Sequence, residues 1–320
     1  MINDTPKELL EKNFISQAQF DRIEPIVSRK IVSVFYELRT LLYLGVMLFT
    51  AGLGILIYEN IGELGHLLSI IALCIITLIC FWYAFSKGSP FSRERVQHPT
   101  PYFDYIVLLG SLLFVSAQGY VQFQYQWFDE HLGWNTLITA LFFFIIAYRF
   151  DHLGVLSLAI TALASFWSIS VSPQKWYSSN FFETANLHIT ALFFGGILGL
   201  IAMTLDRKSI KKHFTFTYIN FCSLIFFAGA TIGLFEGNNY GIYILLIFAG
   251  CAFSVFYANR EKSFLFLLYA FVFGYIATTY LFVEWVMDDI PELIFYYSIL
   301  SCGGFIYFIL SYKKFFSRKV

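Results

Sequence analysis

Ten apolar stretches, each about the length that crosses a bilayer, run from Thr40 to Tyr312, and basic residues alternate between the loops that join them. Assigning the loops by turns to two sides, with the N-terminus on the first, gathers twenty Lys and Arg and eleven Asp and Glu there, a balance of +9. The second side holds only Lys175 against ten carboxylates, a balance of −9. The formal charge of zero is therefore a cancellation. Lys and Arg in short loops mark the cytoplasmic face of a membrane. The pattern predicts an all-α integral membrane protein of about ten transmembrane helices, with both termini cytoplasmic.

A crossing takes about 20 mainly apolar residues, at 1.5 Å rise each, to span about 30 Å of hydrocarbon. The runs lie near 40–59, 66–85, 103–122, 133–149, 153–171, 185–205, 214–235, 239–258, 263–283 and 292–312. With 58% hydrophobic and 13% charged residues the chain falls outside the soluble globular range. A β-barrel is excluded by runs such as Leu141-Phe142-Phe143-Phe144-Ile145-Ile146, apolar on every face, where only a helix satisfies its own backbone in lipid. No apolar run precedes residue 40, so a cleavable signal peptide is not expected and the first span serves as the insertion signal.

Residues 1–38 read as a separate cytoplasmic tail of amphipathic helices ahead of a ten-helix domain over 39–320. Thr5-Pro6 with Glu8 has the form of a helix start. Ser16-Gln17-Ala18-Gln19 has the form of a capping box. Leu9, Leu10, Ile15, Phe20, Ile23 and Ile26 make the apolar face, with breaks near Asn13 and Pro25. Such helices lie on a membrane surface or on inner loops.

The stretch Phe14-Ile15-Ser16-Gln17-Ala18-Gln19-Phe20-Asp21-Arg22-Ile23 precedes a basic-acidic helix and a first span bearing Gly45, Gly52 and Gly54, which ends in Tyr58-Glu59-Asn60-Ile61. Over roughly the first 150 residues this arrangement resembles a family of bacterial predicted membrane proteins, domain of unknown function 2157. The resemblance implies a bacterial inner-membrane location and no particular activity.

Chemistry is sparsely signalled. No Asp, Glu, Lys or Arg sits in the middle of a span, and all seven prolines fall outside the spans. Charges within the hydrocarbon are costly and kept chiefly for function, and broken helices build many carrier sites. Both absences lower the transporter reading. The five cysteines, Cys74, Cys80, Cys222, Cys251 and Cys302, lie within spans and form no ligand motif, as small apolar residues would.

The most site-like run is the outer end of the third span. Gln118 and Gln122 share a helix face at i and i+4, with Tyr120 and Trp127 beside them and Trp134 across the loop. Together with Asn186 and His188 of the sixth span they form a candidate site for a lipid or neutral polar ligand. The same amides also suit interhelical hydrogen bonds, a commoner use of Gln in membranes. His66, His131 and Glu183, near Glu63, Asp129 and Glu130, are weak metal candidates, since imidazole and carboxylate could hold Zn²⁺ or act as a base. Ordinary interfacial residues are the better explanation of them, and neither a metal nor any other cofactor is expected.

Asp129-Glu130-His131 and Asp151-His152 fall on opposite faces, and both read as helix starts with an Asp cap. Gly195-x-x-x-Gly199 and Gly229-x-x-x-Gly233 allow close helix approach, within the chain or between copies, and Gly303-Gly304 offers the same.

The reading that results is a multi-pass inner-membrane protein without catalytic residues, accessory, sensory or scaffolding in role. A transporter of a small neutral or lipid-like solute is the alternative, and an enzyme using the outer His and carboxylates is a third. Its partners are the lipid bilayer and other membrane proteins. Nucleic acid is not among them, because the basic residues are accounted for by topology and anionic headgroups.

Overall fold

The computed structural model describes residues 10, 16, 17, 19, 20, 35–60, 63–96, 100, 102–127, 132–171, 187–236, 239–287 and 293–317. Among them the secondary structure is helical, with no strand. Ten α-helices follow in order: α1 Phe35–Asn60, α2 Glu63–Lys87, α3 Phe103–Tyr125, α4 Leu132–Phe150, α5 Leu153–Val171, α6 Leu187–Lys208, α7 Phe214–Phe235, α8 Tyr240–Glu261, α9 Phe264–Phe282 and α10 Leu293–Ser317. A single π-helical turn, Val283–Met287, extends α9. Eight of the ten are long and apolar enough to cross a membrane. The other two, α1 and α5, carry shorter apolar stretches among the described residues, Thr40–Gly52 and Leu153–Ile169. The protein is a multi-pass membrane protein.

Many large apolar side chains face outward, among them Leu48, Leu78, Phe193, Leu245, Leu300 and Leu310. In water such a surface would drive aggregation; in a bilayer it is the solvated surface. Lipid tails are as apolar as leucine, so helix association rests on close packing and polar contacts instead.

The chain divides into two compact units, Met1–Trp82 with Tyr102–Ala117 and Tyr83–Pro101 with Gln118–Val320. In the first, α2 and α3 approach closely at Gly110, where an added Cβ would lie 3.0 Å from that of Cys80. Leu73, Phe103, Val107 and Leu113 are buried, and Tyr43 of α1 meets Tyr105 of α3 at 5.0 Å between ring centroids. Of the tail, the capping box at residues 16–19 is formed. The Ser16 N–H donates to Gln19 Oε1 at 2.9 Å, and the Gln19 N–H donates back to Ser16 Oγ at 3.4 Å. The other tail positions, Thr5, Pro6, Glu8, Leu9, Asn13, Ile15, Ile23, Pro25 and Ile26, lie outside the described residues.

The second unit is built on glycine contacts between neighbouring helices. A Cβ added at Gly195 of α6 would meet the Cys222 carbonyl oxygen and Phe226 nitrogen of α7 at 3.3 Å. One added at Gly229 would fall 2.9 Å from the His188 carbonyl oxygen of α6. At Gly233 it would run into the Tyr243 ring of α8, and at Gly199 it would press on Cys222 Sγ. Both G-x-x-x-G motifs therefore serve packing within the chain. Gly303 and Gly304, by contrast, face open space.

Around these contacts Phe227, Ala230, Leu234, Ile247 and Ala277 form a core, with Phe273 stacked on Phe227 at 4.5 Å. Beyond it α9 and α10 meet along an aromatic seam, Phe271 on Phe308 at 4.1 Å and Phe282 on Tyr297 at 4.3 Å. All five cysteines are free.

Candidate functional site

Three helices of the second unit, α4, α6 and α8, finish at the end that carries the basic loops, and they finish alike. Asp151, Ser209 and Lys262 follow them with φ of 58°, 51° and 52°. The next N–H returns in each case to a carbonyl five residues back: His152 to Ala147 at 3.1 Å, Ile210 to Leu205 at 3.2 Å and Ser263 to Ala258 at 3.2 Å. This is a Schellman ending, whose left-handed position is most often glycine. A side chain there costs roughly 1–2 kcal/mol, so Asp, Ser and Lys hold the position against a local preference.

At Asp151 the reason is visible. Its carboxylate, 1% exposed, ties together segments far apart in sequence. Oδ2 accepts the Val96 N–H at 2.6 Å. Oδ1 lies 3.1 Å from Lys211 Nζ and 2.5 Å from His213 Nε2. Lys211 is itself fully buried and left-handed, with φ 46°. Its backbone N–H donates to the Arg93 carbonyl at 2.7 Å, and its ammonium lies 5.5 Å from the Phe91 ring centroid and 3.5 Å from the Glu94 carbonyl oxygen. Arg149 adds a further tie to the same loop, donating to the Ser89 carbonyl at 2.7 Å. Tyr148 and Tyr218 meet hydroxyl to hydroxyl at 3.1 Å, linking α4 to α7 just inside the cluster.

Burial by itself would raise the Asp151 carboxyl, but the Val96 N–H, the Lys211 ammonium and His213 together hold it below its ordinary value of 3.8. Asp151 is thus held as a carboxylate against the Lys211 ammonium, with the His213 imidazole beside it. The α5 cap is His152 rather than Asp151, since Nδ1 of His152 accepts the Val155 N–H at 3.1 Å. The Asp carboxylate is drawn off to Val96 and Lys211, and the neighbouring imidazole takes the capping role.

The outer-end candidates have partners of their own. Gln118 Nε2 donates to Asn135 Oδ1 at 2.5 Å and to the Asn135 carbonyl at 3.0 Å, while the Thr139 hydroxyl donates to Gln118 Oε1. These bonds join α3 to α4. Gln122 and Tyr120 are also engaged. Trp127 and Trp134 are exposed, with Trp127 6.3 Å from Tyr125. His188, in the first turn of α6, has Nδ1 2.7 Å from Glu236 Oε2, near enough for an ion pair although out of line for a hydrogen bond. It also meets the Tyr243 ring edge-on at 5.4 Å. His66 lies in the first turn of α2. Asn186, His131, Glu183, Asp129 and Glu130 lie outside the described residues. Among the described residues no group of three His, Cys, Asp or Glu stands close enough to hold a metal ion.

Residues 7–156 of the chain match the family described as Predicted membrane protein (DUF2157). No curated protein matches the chain, and no solved structure does. The match takes in α1 to α4 and Asp151, and stops short of Lys211 and His213.

Proposed function

We propose that the protein is a non-enzymatic accessory or sensory component of a bacterial inner membrane, with its basic end and both termini in the cytoplasm. Its working part is the cytoplasmic end of the second unit. The observation that supports this reading is the Asp151–Lys211–His213 cluster. A charge removed from water needs excellent partners, and left-handed non-glycine residues persist only where the surroundings hold them, which is common at switch and ligand-clamp positions. Lys211 and Asp151 meet both descriptions. The arrangement is a clasp, closing the 88–96 loop onto the turn before α7. A clasp that opens or closes changes which loops are presented to a cytoplasmic partner, and it needs no bond-making chemistry to do so.

The test has two parts. In intact cells, a membrane-impermeant maleimide should label Gln126→Cys but reach Ser92→Cys only after the membrane is opened; the reverse pattern would refute the orientation. In a strain lacking the chain, whatever growth or stress phenotype results should be restored by the natural protein. Asp151→Asn, present at normal levels, should not restore it. Full restoration by that variant would separate the clasp from function.

A further inference from the structure

A cavity of about 730 Å³ opens beside the clasp, between α6, α7 and α8 and under residues 93–95. Its size is that of a small-ligand site. Its lining changes character along the helix axes. Met203 of α6, Phe216 of α7 and Phe256 of α8 form an apolar wall, each more than a third exposed, so the wall opens sideways onto the lipid-facing surface. One turn further, toward the loops, the lining is charged: Arg93, Glu94, Arg95, Asp206, Lys212, His213, Arg260 and Glu261.

Much of that charge is internally matched. Asp206 lies 3.0 Å from Arg260 and 3.8 Å from Lys212, Arg260 lies 3.4 Å from Glu261, and His213 faces Asp151. Arg93 and Arg95 are different. Among the described residues neither has a carboxylate within ion-pair distance, and Glu94 is the one acid on their segment of the rim. A second, independent sign is Thr215, 6% exposed, which lines the cavity with a buried hydroxyl that has no hydrogen-bond partner among the described residues.

We infer that this cavity binds one anionic phospholipid, its headgroup phosphate at Arg93, Arg95 and Lys212 and an acyl chain along Met203, Phe216 and Phe256. The inference rests on the reading of the basic end as cytoplasmic. Basic pockets between helices on that side suit anionic headgroups. The planar guanidinium fork of arginine matches phosphate oxygens two at a time. A phosphate carried on an acyl chain fits both halves of the cavity, whereas a free phosphate would use only the charged half. Because His213 belongs both to this rim and to the clasp, headgroup occupancy and clasp closure share a residue.

To test it, the full-length chain in a neutral maltoside detergent is titrated with phosphatidylglycerol or phosphatidylcholine, and retention is read by native mass spectrometry. Phosphatidylglycerol should be held at least about tenfold more tightly. Arg93→Gln and Arg95→Gln should each reduce that preference about fivefold, the weight of one basic residue near an anionic surface. Both side chains are exposed, and an unchanged unfolding midpoint would verify that the variants remain folded. On the natural chain, a phosphatidylglycerol with a diazirine-bearing tail should crosslink to the Met203, Phe216 and Phe256 wall. Equal affinity for the two lipids, undiminished preference in the folded Arg variants, or crosslinks only elsewhere would each overturn the inference. So would displacement of the lipid by glycerol 3-phosphate at equal concentration, which would assign the site to a soluble phosphate ester. If lipid preference is absent while Asp151→Asn still fails to restore the phenotype, the lipid site falls and the clasp reading stands. If preference is present and that variant restores fully, the reverse holds.

Discussion

The two ends of the second unit solve the same problem differently. At the acidic end, polar side chains make short-range contacts: Gln118 with Asn135 and Thr139 across one helix pair, and His188 with Glu236 across the next. Except for that His–Glu contact, the partners are neutral amides and hydroxyls, and losing one leaves a dipole unpaired. At the basic end one carboxylate gathers Val96, Lys211 and His213 from segments 55 to 62 residues away. Among its partners the Lys211 ammonium is charged and fully buried, and losing it leaves a whole charge without its counterpart. The first arrangement secures adjacent helices. The second decides whether loops distant in sequence stay together, so a local change there is felt across several elements.

The contrast is sharpest in the response to removing one partner. Lys211→Met strands the Asp151 carboxylate and should destabilise the protein by about 3–5 kcal/mol; thermal unfolding in detergent would measure it. Adding Asp151→Asn to Lys211→Met should restore much of the loss, because the second change removes the stranded charge. If the double variant is as unstable as the single one, the pair does not act as a unit. The sign with pH follows from the lowered carboxyl: the stability that ionised Asp151 contributes is complete above its unfolded value of 3.8 and is lost as the pH falls below it, through the folded value. The destabilisation caused by Asp151→Asn alone should therefore shrink as the pH falls below 3.8.

A smaller effect is expected between the two ends, where α6 and α7 touch. Gly229→Val would force branched carbons against the His188 carbonyl and Ala191, with about 1–3 kcal/mol lost to overpacking. Gly303→Val, facing open space, should leave the unfolding midpoint unchanged. Similar losses at both positions would mean that Gly303 also meets a helix, in a second copy of the chain.

The smallest effect belongs to the acidic end. Gln118→Leu should lower stability by about 0.6–2 kcal/mol, the range for interhelical hydrogen bonds in membranes, with function following the amount of folded protein. A variant of full stability with lost function would restore Gln118 to the role of ligand contact.

The spans were legible in the sequence because lipid demands apolar side chains on every face, and no neighbouring element can supply that requirement from elsewhere. The span Phe214–Phe235 is read to the residue, and so are the bounds of the helix Leu153–Val171, whose apolar stretch is shorter than a crossing. The Ser16–Gln19 box is equally local, and so is the small-residue spacing of Gly195 and Gly229. The clasp was not legible. Asp151 sits in one loop and Lys211 and His213 in another, where charge already had a sufficient explanation in topology. Nor did any glycine announce the left-handed turns, because Asp151, Ser209 and Lys262 occupy them instead. Gln118 was visible as an amide inside a span, but its bonds to Asn135 and Thr139 depend on how α3 meets α4, which no spacing within either helix encodes.

Lys211 carries two requirements that point to different amino acids. Its left-handed backbone, with the N–H committed to Arg93, would be most comfortable as glycine. Its ammonium, committed to Asp151, requires a long basic side chain. In a saturation library, Lys211→Gly would relax the torsion and abandon the carboxylate. Lys211→Arg would keep the charge but demand room for a guanidinium where the lysine is already wholly enclosed. Neighbouring positions can drift by small compensating steps, whereas this one has no halfway substitute. In a directed-evolution experiment it would act as an anchor around which the adjoining loops vary.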